Sequence, residues 1–475
     1  MRALLPLRPD RAAMTRQPPP LRPGRAGVMR ARLVVAGLVL ALAPARAHAA
    51  EGSVGGFAEV RFSGSPGLDG TPWRLIERVR PRFRASLHQR ISLFAEVEFA
   101  LVQGRDDQAE LQRTLEDSDF GPLLALSGIE WPEKANSVLQ IDGTQSYLDV
   151  ARLYVDFYLP GADLRVGRQA LFWGAAAMIN PTDPFPELLV TEPWKPRRGT
   201  NAVRANIPLG EGGDLTAVLA TSDLFDALRA AARLRVRLGP ADLAFVAAYR
   251  GDDDDGLIGI DLRGSFGVGY WVEAAIHIDG EYRHDVAVGL DYSSPVHDGL
   301  VVMAQYYRNG RGAGPKETPP NRMASLLDAS GLDGSGLGGS GLGGSSAGGL
   351  GGGSALGTAP EQATFAPLFS GRDYVMLSLS QAFIPEISVS AVALQNLSDG
   401  TGFFIPTVSV RPLDWLDLSL SAQVPYRLWG EGGEFKPNEE DLQIEAEVPF
   451  LGTLSADLRG LVPDATITFW TRASF

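Results

Sequence analysis

The 475-residue chain contains no cysteine, which excludes a disulfide-stapled scaffold, a thiolate metal site and a cysteine nucleophile. It also contains no run near the ~18 consecutive apolar residues that a membrane-crossing helix needs. Histidine is scarce, with five in all and only His88, His277, His284 and His297 beyond residue 49. A hydrolase embedded in a membrane needs a histidine beside a serine or carboxylate. His284-Asp285 is the one arrangement to weigh, and neighbours on a strand point to opposite faces, so they form no dyad with each other. The expectation is a chain that is not an enzyme, with no catalytic residue, metal or cofactor.

Basic charge is short as well. Residues 1–49 hold nine Arg and one Asp of the chain's 43 basic and 56 acidic groups, so residues 50–475 keep 34 and 55, a net charge of −21. Phosphates are repelled by such a surface overall, which excludes a nucleic-acid partner. The leading segment reads as an export signal. Leu33 to Ala43 is an apolar run of signal-peptide length, preceded by Arg30 and Arg32 and followed by the small-x-small site Ala47-His48-Ala49. Met29 is an alternative start. Residues 50–475 then form one domain, and its first strand starts too soon after the cleavage site to leave room for the folded plug of an energised receptor.

What the chain has in abundance is alternation. In Trp73–Val102 the odd positions carry Leu75, Val79, Phe83, Leu87, Ile91, Leu93, Val97, Phe99 and Leu101. The even positions carry Arg74, Arg78, Arg80, Arg82, Arg84, Arg90, Glu96 and Glu98. Period two means a strand with one apolar and one charged face. A soluble sandwich alternates too, but here the pattern recurs over about twenty segments between Phe57 and Phe475, mostly near the ~10 residues of a tilted membrane strand. These include Asp441–Val448 and Thr453–Arg459, turning at Gly452.

Connection length follows strand parity. Every second connection is short: His88, Pro160, Glu211-Gly212-Gly213, Gly239-Pro240, Gly267, Pro295, Pro385, Pro412 and Gly452. The other set contains 103–146, 170–200, 251–256, 310–371 and 425–440. Short periplasmic turns with long extracellular loops mark outer-membrane barrels, whereas a sandwich gives loop length no reason to follow parity. The expected fold is all-β, a transmembrane antiparallel up-and-down β-barrel of about 16–20 strands. Closure follows from the cost of unpaired backbone groups in lipid, several kcal/mol each. The tract 310–371 includes Gly-Leu-Gly-Gly-Ser at 336–340 and 341–345, a composition that predicts a disordered tether. The turn Asp252–Asp255 reads as a solvated run, with loose Ca²⁺ or a divalent bridge to lipopolysaccharide as the alternative.

Two stretches carry a family likeness. The run Val166-Gly167-Arg168-Gln169, Phe172-Trp173-Gly174 and Asn180-Pro181-Thr182-Asp183-Pro184-Phe185 resembles a Gly-Arg-Gln, Trp-Gly, Asn-Pro-x-Asp signature of porin-like Gram-negative outer-membrane proteins. It spans about twenty residues, and the strand pattern around it agrees over the whole exported chain. The last strand, Ile467-Thr468-Phe469-Trp470-Thr471-Arg472-Ala473-Ser474-Phe475, resembles the assembly signal of such barrels. The resemblance implies an outer-membrane location, contact with lipid and lipopolysaccharide, recognition by the barrel-assembly machinery through Phe475, and a homotrimer. It also implies that loop 170–200, the third on its side, folds inward and narrows a pore.

On that reading Asn180, Asp183 and Glu187 belong to the constriction, with Asp183 and Glu187 facing a lumen wall of Arg78, Arg80, Arg82, Arg84, Arg152, Arg165, Arg168 and Arg204. Glu96 and Glu98 neutralise part of this wall by cross-strand pairing. Opposed charge walls orient small hydrophilic, anionic solutes during passive diffusion. Asp441, Glu445 and Glu447 form an acidic stripe that weakens the anion preference. The alternative is a filled, non-conducting barrel acting as a surface adhesin or scaffold.

Overall fold

The structure, a computed structural model, describes residues 52–65, 73–104, 144–176, 179–185, 199–221, 228–251, 255–278, 282–294, 299–310, 371–430, 433–438, 443–448, 452–457 and 464–475, with residues 114, 118 and 312. Glu187 and Asp441, named above, lie outside the described residues, as does most of 310–371.

Eighteen antiparallel strands form one sheet. Strands β1 to β6 are Gly52–Gly64, Trp73–His88, Ile91–Gly104, Thr144–Leu159, Ala162–Gln169 and Thr200–Pro208. Strands β7 to β12 are Gly213–Thr221, Leu228–Leu238, Ala241–Arg250, Asp255–Ser265, Gly269–Ile278 and Tyr282–Ser293. Strands β13 to β17 are Val301–Arg308, Asp373–Ile384, Ile387–Asn396, Thr401–Leu413 and Leu416–Arg427. Each pairs with its sequence neighbours, and β20 (Thr466–Ser474) pairs with both β17 and β1, so the sheet closes on itself. No strand of the sheet is left with an open edge, and the fold is an up-and-down barrel.

The closing seam is tight. Gly56 and Phe475 exchange both backbone hydrogen bonds, at 2.9 and 3.0 Å. Gly56 has φ +149, and a Cβ there would lie 2.4 Å from the Arg80 carbonyl oxygen, so a side chain would push the first strand off the second.

Alternation is converted into two surfaces. In β11, Trp271, Glu273, Ala275 and His277 are buried, while Val272, Ile276 and Ile278 are exposed. The outward set is apolar on strand after strand: Phe83, Leu153, Leu219, Phe245, Leu290, Leu379, Leu420 and Phe469 are each more than 40% exposed. An apolar belt that circles the molecule is far larger than the few hundred Å² a water-soluble monomer shows.

Connections sort by end. Those at residues 89–90, 160–161, 239–240, 385–386 and 414–415 are two-residue turns at one end of the barrel, and the long connections, including 105–143 and 309–372, gather at the other. One expectation is corrected here. Gln443–Val448 (β18) and Gly452–Asp457 (β19) alternate like wall strands but pair only with each other, inside the long connection between β17 and β20. The barrel therefore has 18 strands, the Gly452 turn is not one of its short-end turns, and Glu445 and Glu447 are not part of its wall.

Candidate functional site

After β5 the chain turns into the barrel. Leu171, Trp173 and Phe185 pack with Ala202, Val218, Ala220, Ala231, Val246, Leu257 and Ala275, inward residues of β6 to β11. Ala176 and Ile179 pack with Trp271, Ala287, Tyr307, Met376, Leu394 and Ile405, inward residues of β11 to β16. Trp173 and Phe185 meet edge to face, 6.1 Å between ring centres, so the two ends of the excursion close on each other. Gly174 has φ +104, and a Cβ there would meet the Asn180 side chain at 2.4 Å. Only glycine supplies both that backbone and that space.

One carboxylate fastens this loop to the wall. Glu273 is fully buried, and its Oε1 accepts the N–H groups of Ala175 and Ala176, the latter at 2.6 Å. Its Oε2 accepts the Thr182 N–H at 3.2 Å and the Thr182 hydroxyl at 2.8 Å. Beside it, Gln305 donates to the Ile179 carbonyl at 3.0 Å. On β10 the Thr182 methyl fills the space over Gly259, where a Cβ would stand 2.8 Å from it. A loop whose backbone groups would otherwise be buried unpaired is satisfied by the wall instead.

The residues singled out in the sequence take up definite places. Asn180 packs on Gly174, and its carbonyl accepts the Asp183 N–H at 3.2 Å. Asp183 is buried, and its Oδ1 accepts the Phe185 N–H at 3.0 Å, which shapes the turn. The arginine wall divides in two. Arg78 and Arg80 are buried among Glu59, Glu96 and Glu98, with Arg78–Glu98 at 3.2 Å and Arg80–Glu96 at 2.9 Å. Arg82 remains half exposed while reaching Glu96 at 3.1 Å, and Arg165 binds Asp156 at 2.6 Å. Arg168 sits opposite Leu153 and Asn201 in the ladder, and its guanidinium comes to 3.9 Å from Asp149, itself opposite Glu98. Gly167 has φ +124, and a Cβ there would lie 2.2 Å from the Leu153 carbonyl oxygen, so glycine lets β4 and β5 pair here.

No protein-family model and no curated protein matches the sequence. Solved structures do. Pseudomonas aeruginosa OccK11 (OpdR) is similar with a TM-score of 0.48 and 8% identity, over 89% of this chain and 96% of that one. Acinetobacter baumannii OccAB4 follows at 0.47 and 8%, over 90% and 98%. P. aeruginosa OpdK, solved with vanillate, gives 0.45 and 7%, over 89% and 98%. No residue of this chain inherits a role from them.

Two inward features were missed in the sequence. One is Glu273, whose signal was a lone carboxylate on the buried parity of a strand between Trp271 and Ala275. The other is a set of ion pairs: Arg233, Arg235 and Arg237 of β8 read in sequence as one face opposite Leu234, Val236 and Leu238, but their partners do not, and they pair with Asp261 at 2.9 Å, Asp214 at 2.5 Å and Asp242 at 3.3 Å. The inner wall is also not uniformly polar. Where the loop lies, β6 to β16 present Ala, Val, Leu and aromatic residues inward, an apolar shelf cut to fit it. His284 falls on the outward parity of β12, while Asp285 turns inward to His277, 3.4 Å away, and accepts the Tyr307 hydroxyl at 3.2 Å.

Proposed function

We propose that the chain is an outer-membrane channel through which small hydrophilic, anionic solutes diffuse passively, narrowed by the loop after β5. The observation that carries this is the combination of a closed 18-strand wall with a loop whose described residues dock on the inner face of β6 to β16. Barrels of about eight strands are filled by their own side chains, and those of 16–18 strands enclose water. The apolar belt suits lipid, and the sorting of short turns and long loops suits periplasmic and extracellular ends. The terminal strand ending at Phe475 suits recognition by the assembly machinery.

Anion preference rests on a local surplus. Arg82, Arg165, Arg233, Arg235 and Arg237 each have a carboxylate partner. Among the described residues, Arg84, Arg152 and Arg204 have no carboxylate within an ion-pair distance; they lie on β2, β4 and β6, toward the short-turn half. The opposite wall is neutral and hydroxyl-rich: Ser378, Ser380, Ser390, Thr407, Ser409 and Ser421 share the inward parity of β14 to β17.

The test is single-channel recording of refolded residues 50–475 in a planar bilayer under a potassium chloride gradient. Discrete steps that grow when 175–196 are deleted are expected. Replacing Arg84, Arg152 and Arg204 together by glutamine should move the reversal potential toward cation preference. No steps in either protein would overturn the channel reading in favour of a filled barrel whose loops bind a partner.

A further inference from the structure

The connection after β17 also returns into the barrel. Gly433 to Lys436 turn on themselves, the Gly433 N–H donating to the Lys436 carbonyl at 3.2 Å. Phe435 stands edge-on to Phe403, ring centres 5.1 Å apart, and 6.4 Å from Tyr374. Both partners are inward residues, so the Phe435 ring is inside the lumen. There it packs on the apolar cluster that also receives Ala176 and Ile179 of the first loop. Two separate connections thus meet over one patch of wall.

What holds the second connection down is polar. The buried Glu434 carboxylate accepts the Tyr374 hydroxyl at 2.6 Å and the Asn396 side-chain amide at 3.0 Å. The Glu434 N–H donates to Asp399 Oδ2 at 2.7 Å, and the Phe435 N–H donates to the Thr401 hydroxyl oxygen at 3.2 Å. Asp399 is itself set by the Thr401 N–H and hydroxyl, both at 2.8 Å. At position 433 a Cβ would fall 2.3 Å from the Asp399 carboxylate, so glycine is what lets the strap come this close.

We propose that Gly433–Lys436 is a latched strap, with Phe435 the second jaw of the constriction and Glu434 the latch that keeps it against the wall. Its bearing on solute passage rests on the channel reading; the latch itself does not. The first loop has five apolar anchors, Leu171, Trp173, Ala176, Ile179 and Phe185, whereas the strap has one, Phe435. With so little apolar burial, the strap's position depends on hydrogen bonds, two of them to the Glu434 carboxylate and two from the strap's own N–H groups to Asp399 and Thr401, and it is the jaw that moves.

A chain without cysteine makes the test direct. Phe435→Cys in the full chain is exposed to a charged methanethiosulfonate reagent, alone and combined with Glu434→Ala. The latch predicts slow labelling in the first and at least tenfold faster labelling in the second. Equal rates overturn it. Should Phe435→Cys not fold, amide exchange at Glu434 and Phe435 in a Tyr374→Phe variant replaces it, with a tenfold loss of protection expected and no loss overturning the latch. In bilayers, Glu434→Ala and Phe435→Ala should each raise conductance about 1.5- to 2-fold. Unchanged conductance in a conducting background removes Phe435 as a jaw. Faster labelling in a protein that never conducts keeps the latch and discards the channel reading.

Discussion

Replacing Glu273 with alanine is expected to open the middle of the inward loop without expelling it. Four donors converge on this carboxylate, three of them backbone N–H groups. A hydrogen bond to a charged group contributes about 1.5–3 kcal/mol net, and four bonds to one carboxylate do not add in full. A joint loss of about 4 kcal/mol is a reasonable scale, close to 10³ in the local opening equilibrium. Against it stand the apolar anchors, each large one contributing about 1.5–3 kcal/mol through burial. Leu171, Trp173 and Phe185 together outweigh the carboxylate, so the ends of the loop stay docked while the segment between them loosens. Hydrogen exchange at the Ala175, Ala176 and Thr182 amides should quicken by roughly 10²–10³, in keeping with that opening free energy. Amides of β6 and β7 should be unaffected. In a bilayer the same variant should give noisier steps with a modest rise in mean conductance. Glu273→Gln should fall between the two proteins, because it keeps one acceptor oxygen but turns two donors toward the loop's own donors. Unaltered protection at those three amides would show that apolar packing alone holds the loop.

Glu273 also marks the boundary of what the sequence discloses. Parity of side chains and parity of connection lengths are properties of a strand and its turn, so they are readable locally, and they lead to a closed barrel with long loops at one end. Gln443–Val448 alternates as convincingly as any wall strand, yet it lies outside the wall. Its exclusion is decided by β20, which must pair with β17 on one side and β1 on the other, and no local pattern contains that requirement. The same holds for the interior. Ala202, Val218, Ala231 and Val246 read as weakly alternating strands with a small apolar residue where a polar one is expected. Their purpose appears only once Leu171, Trp173 and Phe185 are laid across them. Arg78 and Arg80 stand on the inward parity in sequence and structure alike, and both meet glutamates of their own hairpin, but Arg78 is also held by Glu59 on β1, a partner from outside that hairpin which Arg472 of β20 shares across the seam. Side-chain direction is therefore legible residue by residue; whether a given inward residue meets water, a loop or a carboxylate is a property of the closed assembly.

That dependence on closure makes Glu59 the most consequential residue of the wall. It is almost fully buried, accepting Arg61 at 3.2 Å and Arg78 at 3.3 Å on one oxygen and Arg472 at 2.6 Å on the other. Those three arginines come from β1, β2 and β20, so a single carboxylate ties the first, second and last strands across the seam. Removing one partner of a buried ion pair costs about 3–5 kcal/mol, mostly because the remaining charge stays buried. Folded domains are stable by about 5–15 kcal/mol in total, so Glu59→Ala spends a large share of that margin at the place where the barrel must close. The expected result is a marked fall in the urea concentration at which the compact, heat-modifiable gel band is lost. The outward belt and the strands opposite the seam are untouched by the change, which makes closure rather than insertion the step that fails. A second substitution separates charge from packing. If the cost lies in stranded positive charge, Glu59→Ala with Arg78→Leu should be more stable than Glu59→Ala alone, since a buried pair replaced by apolar groups is often neutral. If the double variant is worse than the single one, Arg78 stabilises the wall through Glu98, its 3.2 Å partner on β3, independently of the seam. A Glu59→Ala protein that unfolds with the wild type would remove the seam carboxylate from the account of closure, leaving the Gly56–Phe475 backbone pair to carry it.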